Sequence, residues 1–283
     1  MTSHASPAAP RRAHAAIDSP RNPRICDIRR LEEDPAARRA SGCAVAWGRH
    51  LALEALDAGV ELRSVLLEPG LESTVEGRAI LERLAPHRKA CTLVTRRVLE
   101  SIAAGAGDQG ILLVVRRPAV PLESVLDSSP SLLMMAHGVQ DPGNLGSIAR
   151  TLLAFGGSAL IALEGCADLG GSRALRASMG ALLRLPVVRS STPLALAGTT
   201  RAGLQIVATV PGGSDRPDRI DLRQPTALLI GSEGAGLPEA VRRAAHRTVG
   251  IPMASAVGSL NVHAAATVLL YEMARQRGFT AST

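Results

Sequence analysis

Short apolar runs alternating with helical stretches constrain this chain more than any other feature. That alternation needs crossover connections, and hence a mainly parallel sheet covered on both faces. In the second half the runs predict strands over 132–139, 159–163, 186–188, 205–210, 226–230 and 247–251. Helices are expected over 173–182, 194–201 and 238–245, with another carrying Ile148, Leu152 and Phe155 and a last one over 260–277. The first half reads as helix 34–41, strand 43–47, helix 49–58, strand 62–67, helix 75–84, strand 91–94, helix 96–103 and strand 111–115. A chain of 283 residues suits two domains of ordinary size. The expected division is a disordered basic tail over 1–24, a smaller α/β domain over 25–117, a linker over 118–130 and a larger α/β domain over 131–283. The linker assignment rests on Pro118, Pro121 and Pro130 and on the absence of any sustained period between them.

Aromatic residues make up only 1% of the chain, so Leu, Val, Ile and Ala must supply the packing. Bases would find few stacking platforms, and a nucleic-acid partner would have to be held by charge, backbone contacts and shape. The formal charge is +7, and Lys89 is the sole lysine among the cationic residues. Arginine's planar fork suits phosphate, although arginine in place of lysine is also what a GC-rich coding sequence gives any protein. Cys26, Cys43, Cys91 and Cys166 are widely spaced, which fits reduced, buried thiols and offers neither a zinc pattern nor a disulfide framework. No apolar span reaches about eighteen residues and no secretory leader is apparent, so a cytoplasmic protein without membrane or metal is expected. Arg11, Arg12, Arg21 and Arg24 read as part of a solvated tail.

Three glycine-punctuated segments stand out in the second half. They are Asp141-Pro-Gly-Asn-Leu-Gly-Ser-Ile-Ala-Arg150, Leu228-Leu-Ile-Gly-Ser-Glu-Gly-Ala-Gly-Leu-Pro238 and Ile251-Pro-Met-Ala-Ser-Ala-Val-Gly-Ser-Leu-Asn-Val262. Each follows or contains an apolar run and sets polar side chains beside bare backbone. Each also falls after a strand, where open α/β sheets bind ligands. Asn144 reads equally as a helix cap and as a site residue, and Arg150, offset from it by about 120 degrees around the helix, reads by default as a solvated charge. The 231–236 loop lacks the lysine of a phosphate-binding P-loop and the spacing of a dinucleotide fingerprint, which argues against a nucleotide hydrolase. Ser259-Leu-Asn261 would be unremarkable as a helix start.

In order and content the segments resemble the three motifs of the SpoU (TrmH) family of SPOUT-class RNA 2′-O-ribose methyltransferases. The matching positions are Asn144, Gly146 and Arg150, then Gly231, Glu233 and Gly236, then Ile251-Pro252-Met253 with Ser259 and Asn261. The resemblance implies a SPOUT-type parallel sheet with a trefoil knot and S-adenosylmethionine as cofactor. It also implies a catalytic group of Arg150, Asn144, Glu233, Ser259 and Asn261, and cofactor contacts from Leu229, Gly231, Ile251, Met253 and Leu260. Arg173 and Arg176, within a further similar segment, are then expected to touch RNA phosphates. A homodimer is implied, in which the final helix packs on its partner and one subunit's arginine completes the other's site. His263 stands where the family more often has a small hydroxylated residue and is read as a helix-face residue.

Residues 43–50 and 109–118 resemble an amino-terminal, ribosomal-protein-like substrate-binding domain, although Ala46-Trp47-Gly48 departs from the commoner Val-Glu-Gly. That domain favours ribosomal RNA over transfer RNA as partner. The competing class is a noncatalytic RNA-binding or ribosome-assembly protein on the same fold, against which the intact motif residues argue.

Overall fold

Side chains alternate across a strand, so a run that is apolar at every position must be covered on both sides. The computed structural model describes residues 16–102, 109–254 and 258–279, and its layers follow from that requirement. The first half contains helix α1 (Pro23–Glu33), α2 (Pro35–Ser41), strand β1 (Cys43–Trp47), α3 (Gly48–Asp57), β2 (Leu62–Leu67), α4 (Val75–Arg83), β3 (Cys91–Leu93), α5 (Arg96–Ile102) and β4 (Ile111–Arg116). Its four strands lie in the order β1-β4-β2-β3, with β4 antiparallel to both β1 and β2, and β3 parallel to β2.

The second half begins with α6 (Leu122–Leu126), β5 (Leu132–Ala136), α7 (Pro142–Ala154), β6 (Ala159–Ala162), α8 (Ser172–Ala177), α9 (Ala181–Arg184) and β7 (Val187–Arg189). It continues through α10 (Thr192–Arg201), β8 (Gln205–Thr209), β9 (Thr226–Ile230), α11 (Glu239–Arg243), β10 (Arg247–Val249) and α12 (Val262–Gln276). The six strands run β10-β8-β9-β5-β6-β7, all parallel. Every carboxyl end therefore faces one edge, and the order reverses between β5 and β9, the position where such sheets hold ligands.

Alternation distributes the core. On β5, Leu133 and Met135 face a cluster with Leu122 and Val125 of α6, Ala195 of α10 and Val241 of α11, while Leu132, Met134 and Ala136 face the opposite way. That second face belongs to a core that continues through α7, α8 and α12 to Ala44, Val65, Leu113 and Val115 of the first sheet. The far side of the first sheet is closed by Ile25 and Ile28 of α1 and by Val98, Leu99 and Ile102 of α5. The two halves thus share one uninterrupted apolar interior. At about 1.5–3 kcal/mol for each fully buried Leu or Ile, that shared layer outweighs any single polar contact between them.

Polar contacts fix the orientation of the halves. The Arg38 Nε lies 2.6 Å from Asp168 Oδ2, Arg184 Nη2 lies 3.0 Å from Glu54 Oε2, and Ser172 Oγ donates to Glu32. Burial pushes the Glu32 carboxyl up from its ordinary range, opposed by hydrogen bonds from Ser172 and Trp47 and by the charge of Arg38.

Several expectations are corrected. Arg11 and Arg12 lie outside the described residues, but the end of the supposed tail is packed: Ile17 pairs with Val94, and the Arg24 guanidinium donates to Thr92 Oγ1 at 2.6 Å and Ser64 Oγ at 3.0 Å. Asn22 then caps α1, with Pro23 at its first turn. The linker contains α6, whose five residues are too few to display a period. The helix expected over 173–182 is broken by left-handed backbone at Met179 (φ 49°) and Gly180 (φ 87°). The cysteines are free as expected, but Cys26 is exposed and the other three are only partly buried. No helix among the described residues is long and apolar enough to cross a membrane.

Candidate active site

The carboxyl edge of the six-stranded sheet gathers the motif loops because they follow β5, β9 and β10, strands of one parallel sheet whose carboxyl ends share that edge. Between the 231–236 loop, the 258–260 segment and the end of β8 lies a cavity of about 380 Å³. That volume falls within the range of roughly 300–1,000 Å³ usual for small-molecule sites. Gly231, Glu233, Ile251, Met253, Ser259 and Leu260 line it, together with Ile230 and Thr209. The 231–236 loop folds back on itself, with Ser232 N donating to Gly236 O at 3.2 Å and Gly236 N to Ser232 O at 3.0 Å. Gly236 occupies the left-handed region at φ +66°. A Cβ on Gly231 would stand 2.3 Å from the Gly236 carbonyl carbon, so this turn closes only around a bare backbone.

The polar groups form a chain beside the cavity. Asp141 caps α7, its Oδ1 accepting from Gly143 N at 2.5 Å and Asn144 N at 3.0 Å. Asn144 is thereby freed from capping, and its side chain donates to Glu233 Oε1 and accepts from Asn261 Nδ2 at 3.2 Å. Asn261 also caps α12, accepting from His263 N at 2.9 Å and Ala264 N at 3.3 Å. Asn144 is in this way tied to Glu233 and Asn261, 89 and 117 positions further along the chain, one residue from each motif.

The other expected site residues lie elsewhere. Leu229 is fully buried in the core under α11, on the side of β9 away from the cavity, and Ile230 takes the lining position. Arg150 is exposed on α7, does not line the cavity, and has no hydrogen bond or ion pair among the described residues. Arg173 is paired with Asp141, Nη2 to Oδ2 at 2.7 Å, and Arg176 is exposed on α8. His263 bridges to α7, its Nε2 lying 3.0 Å from Thr151 Oγ1.

The sequence reading missed Thr209. Its hydroxyl is buried at the cavity wall with no hydrogen-bond partner among the described residues, an orphan that a ligand's polar group would satisfy. The signal that could have found it is its place at the carboxyl end of a central strand. Among the described residues no group of His, Cys, Asp and Glu is arranged to hold a metal.

The family model described as SpoU rRNA methylase matches residues 131–271, and one described as RNA 2′-O ribose methyltransferase substrate binding matches residues 45–121. A tRNA/rRNA methyltransferase of Mycobacterium ulcerans, itself uncharacterized, is 33% identical over 264 residues, covering 91% of this chain and 85% of that protein. The chain belongs to the SpoU methylase family. Two solved structures are similar over most of the chain. An AdoMet-bound rRNA methyltransferase from Sinorhizobium meliloti has a TM-score of 0.81 at 29% identity, over 92% of this chain and 97% of that one. The SpoU methyltransferase AviRb from Streptomyces viridochromogenes, in complex with AdoMet, has a TM-score of 0.80 at 30% identity, over 91% of this chain and 98% of that one. The SpoU match begins at β5, and the substrate-binding match covers the four-stranded sheet, so the two core sheets correspond to two recognised units.

His263 gives a pH signature. Burial, then the charge of nearby Arg150, pushes its imidazole below the ordinary 6.5, so the folded protein favours the neutral ring. On acidification the unfolded chain binds this proton first, and stability is lost as pH falls from 6.5 toward the folded value. Thermal midpoints should therefore decline through that window in the native protein and decline less in His263→Gln. Identical pH slopes for the two would rule out this contribution.

Proposed function

We propose that this SpoU-family chain transfers the methyl group of S-adenosylmethionine to a ribose 2′-hydroxyl in structured RNA, ribosomal RNA ahead of transfer RNA, and that it works as a homodimer with the knotted topology of its family. The observation that carries the reading is the cavity walled by the second and third motifs, with the unpaired Thr209 hydroxyl inside it and the first-motif Asn144 tied to its rim. Its lining suits an adenosyl group, because Ile230, Ile251, Met253 and Leu260 offer apolar surface while the Gly231 turn leaves backbone groups exposed. Bound there, S-adenosylmethionine supplies a methyl made electrophilic by its sulfonium charge.

The chain's own residues align and stabilise. Asn144, held between Glu233 and Asn261, has its amide orientation fixed beside the cavity-lining Glu233. Arg150 supplies an uncommitted guanidinium to hold the RNA phosphate next to the reacting hydroxyl and to stabilise the negative charge developing on its oxygen. Proton removal by arginine would demand a large pKa depression, so positioning and charge stabilisation are its assigned roles.

The homodimer is supported by two observations. Arg150 lies off the cavity of its own chain, six residues and about 9 Å of helix beyond Asn144. Both phenylalanines and the only tyrosine of the chain also cluster on one surface, Tyr271 meeting Phe155 edge-on at 6.2 Å and Phe279 at a tilt at 5.4 Å, with Tyr271 half exposed. A partner's α12 would cover that patch.

The test is incubation of the purified protein with methyl-labelled S-adenosylmethionine and ribosomal or transfer RNA, followed by mapping of alkali-resistant linkages. The expected product is a single 2′-O-methylated nucleotide, in ribosomal RNA. Label on a base would defeat the ribose assignment, and calorimetry showing RNA affinity without S-adenosylmethionine binding would favour a noncatalytic module.

A further inference from the structure

A second cavity, of about 560 Å³, lies where the two halves meet and contains none of the three motif loops. It is bounded by the start of β1, the end of β4 and the segments on either side of α9. Six arginines line it against a single carboxylate, Asp168. Asp168 is shared, accepting from Arg38 at 2.6 Å and from Arg189 at 3.4 Å. Arg184 and Arg116 lean away toward Glu54 and Glu61, at 3.0 and 3.7 Å. Two guanidinium groups remain without an ion pair among the described residues. Arg39 is exposed at the rim and has no ion pair or hydrogen bond among the described residues. Arg117 is different, because its Nε donates to the Leu182 carbonyl at 3.0 Å while its Nη2 is buried with no partner at all among the described residues.

A buried, charged N–H without an acceptor is among the least favourable arrangements in a protein interior. Burial lowers the pKa of the Arg117 guanidinium to about 10, opposed by the charge of Asp168 and reinforced by that of Arg189. A tetrahedral oxyanion would give that N–H its acceptor, since guanidinium forks pair bidentately with phosphate and the surrounding positive excess would hold the charge.

We propose that this cleft between the halves is a phosphate-binding site, with Arg117 at its base and Arg39 and Arg189 at its rim. Its ligand is a phosphate group, either a phosphodiester of bound RNA or a free phosphate anion. Binding there would join β4 of one half to the β7 region of the other, across the boundary that Arg38 and Asp168 already bridge.

The measurement is a titration of the full-length protein with inorganic phosphate, against sodium chloride at matched ionic strength, read by calorimetry and thermal midpoint. Saturable binding and a raised midpoint are expected for phosphate alone. Arg117→Met should abolish both, and Arg39→Gln, at an exposed position that leaves folding intact, should weaken affinity by about tenfold, the effect of losing one charged hydrogen bond. A short oligouridylate, added in competition, separates the sources: displacement of phosphate assigns the site to RNA, and undiminished phosphate binding assigns it to a free anion. Equal midpoints in phosphate and chloride, or a phosphate response unchanged in both variants, would overturn the site. None of these readouts requires methyl transfer, so their failure leaves the assignment of the motif cavity untouched, and the reverse also holds.

Discussion

Arg150→Ala is expected to lower methyl transfer by about 10²–10³-fold, the effect of deleting a preorganised group that stabilises developing charge. Affinity for S-adenosylmethionine should stay within about twofold, because Arg150 does not line the cavity and anchors no other described residue. Since its side chain is exposed, folding should be unaffected and the loss should fall on kcat. Turnover at the native rate would remove Arg150 from the catalytic group. Loss of cofactor affinity in parallel would show instead that it shapes the cavity.

Gly231→Ala should act on the opposite step. The added Cβ would meet the Gly236 carbonyl carbon and oxygen at 2.3 and 2.5 Å and the Leu237 nitrogen at 2.6 Å, all of them backbone atoms with no rotamer to yield. The loop carrying Glu233 must open, at about 1–3 kcal/mol of overpacking. Cofactor affinity should fall by about ten- to a hundredfold, with fold and RNA affinity retained. Unchanged calorimetric affinity would place the donor outside this turn.

The two variants together test the dimer. Should one subunit's arginine complete the other's site, a mixed dimer of Arg150→Ala and Gly231→Ala chains holds one intact cavity faced by one intact arginine. Random reassortment of subunits would then restore about a quarter of native sites. Arginine acting within its own chain would give no recovery on mixing.

The parts of this fold that could be read from the sequence are those in which local chemistry and tertiary context agree. The strands at 43–47, 62–67 and 226–230 are found at their expected bounds, because the unbroken apolar stretches Ala44–Trp47, Val65–Leu67 and Ala227–Ile230 permit few placements other than a sheet covered on both sides. The gathering of the motif loops was also legible, since parallel strands send all their carboxyl ends to one edge. What escaped depended on contacts distant in sequence. Asp141 and Asn144 are both competent caps, and only the reach of Glu233 and Asn261 shows which of them is released for the site. The side chain of Leu229, expected among the cofactor contacts, is turned into the core by the two-residue period of β9, and Ile230 takes the wall. Arg117 looks like an ordinary surface charge in Arg-Arg-Pro, and only the docking of the 182–187 segment over it buries its guanidinium.

The apolar interior that passes without a break from one sheet to the other sets how this molecule can choose among RNAs. With Ala44 and Leu113 in the same cluster as Met134 and Leu269, neither half is free to swing as a jaw around what it holds. Selection by such a body is gauging by a fixed template: an RNA whose own curvature spans the interval is accepted, and one that must be bent to fit pays the deformation itself. The same continuity is expected to make the two halves melt as one, so warming should leave discrimination sharp up to the temperature at which the whole protein is lost.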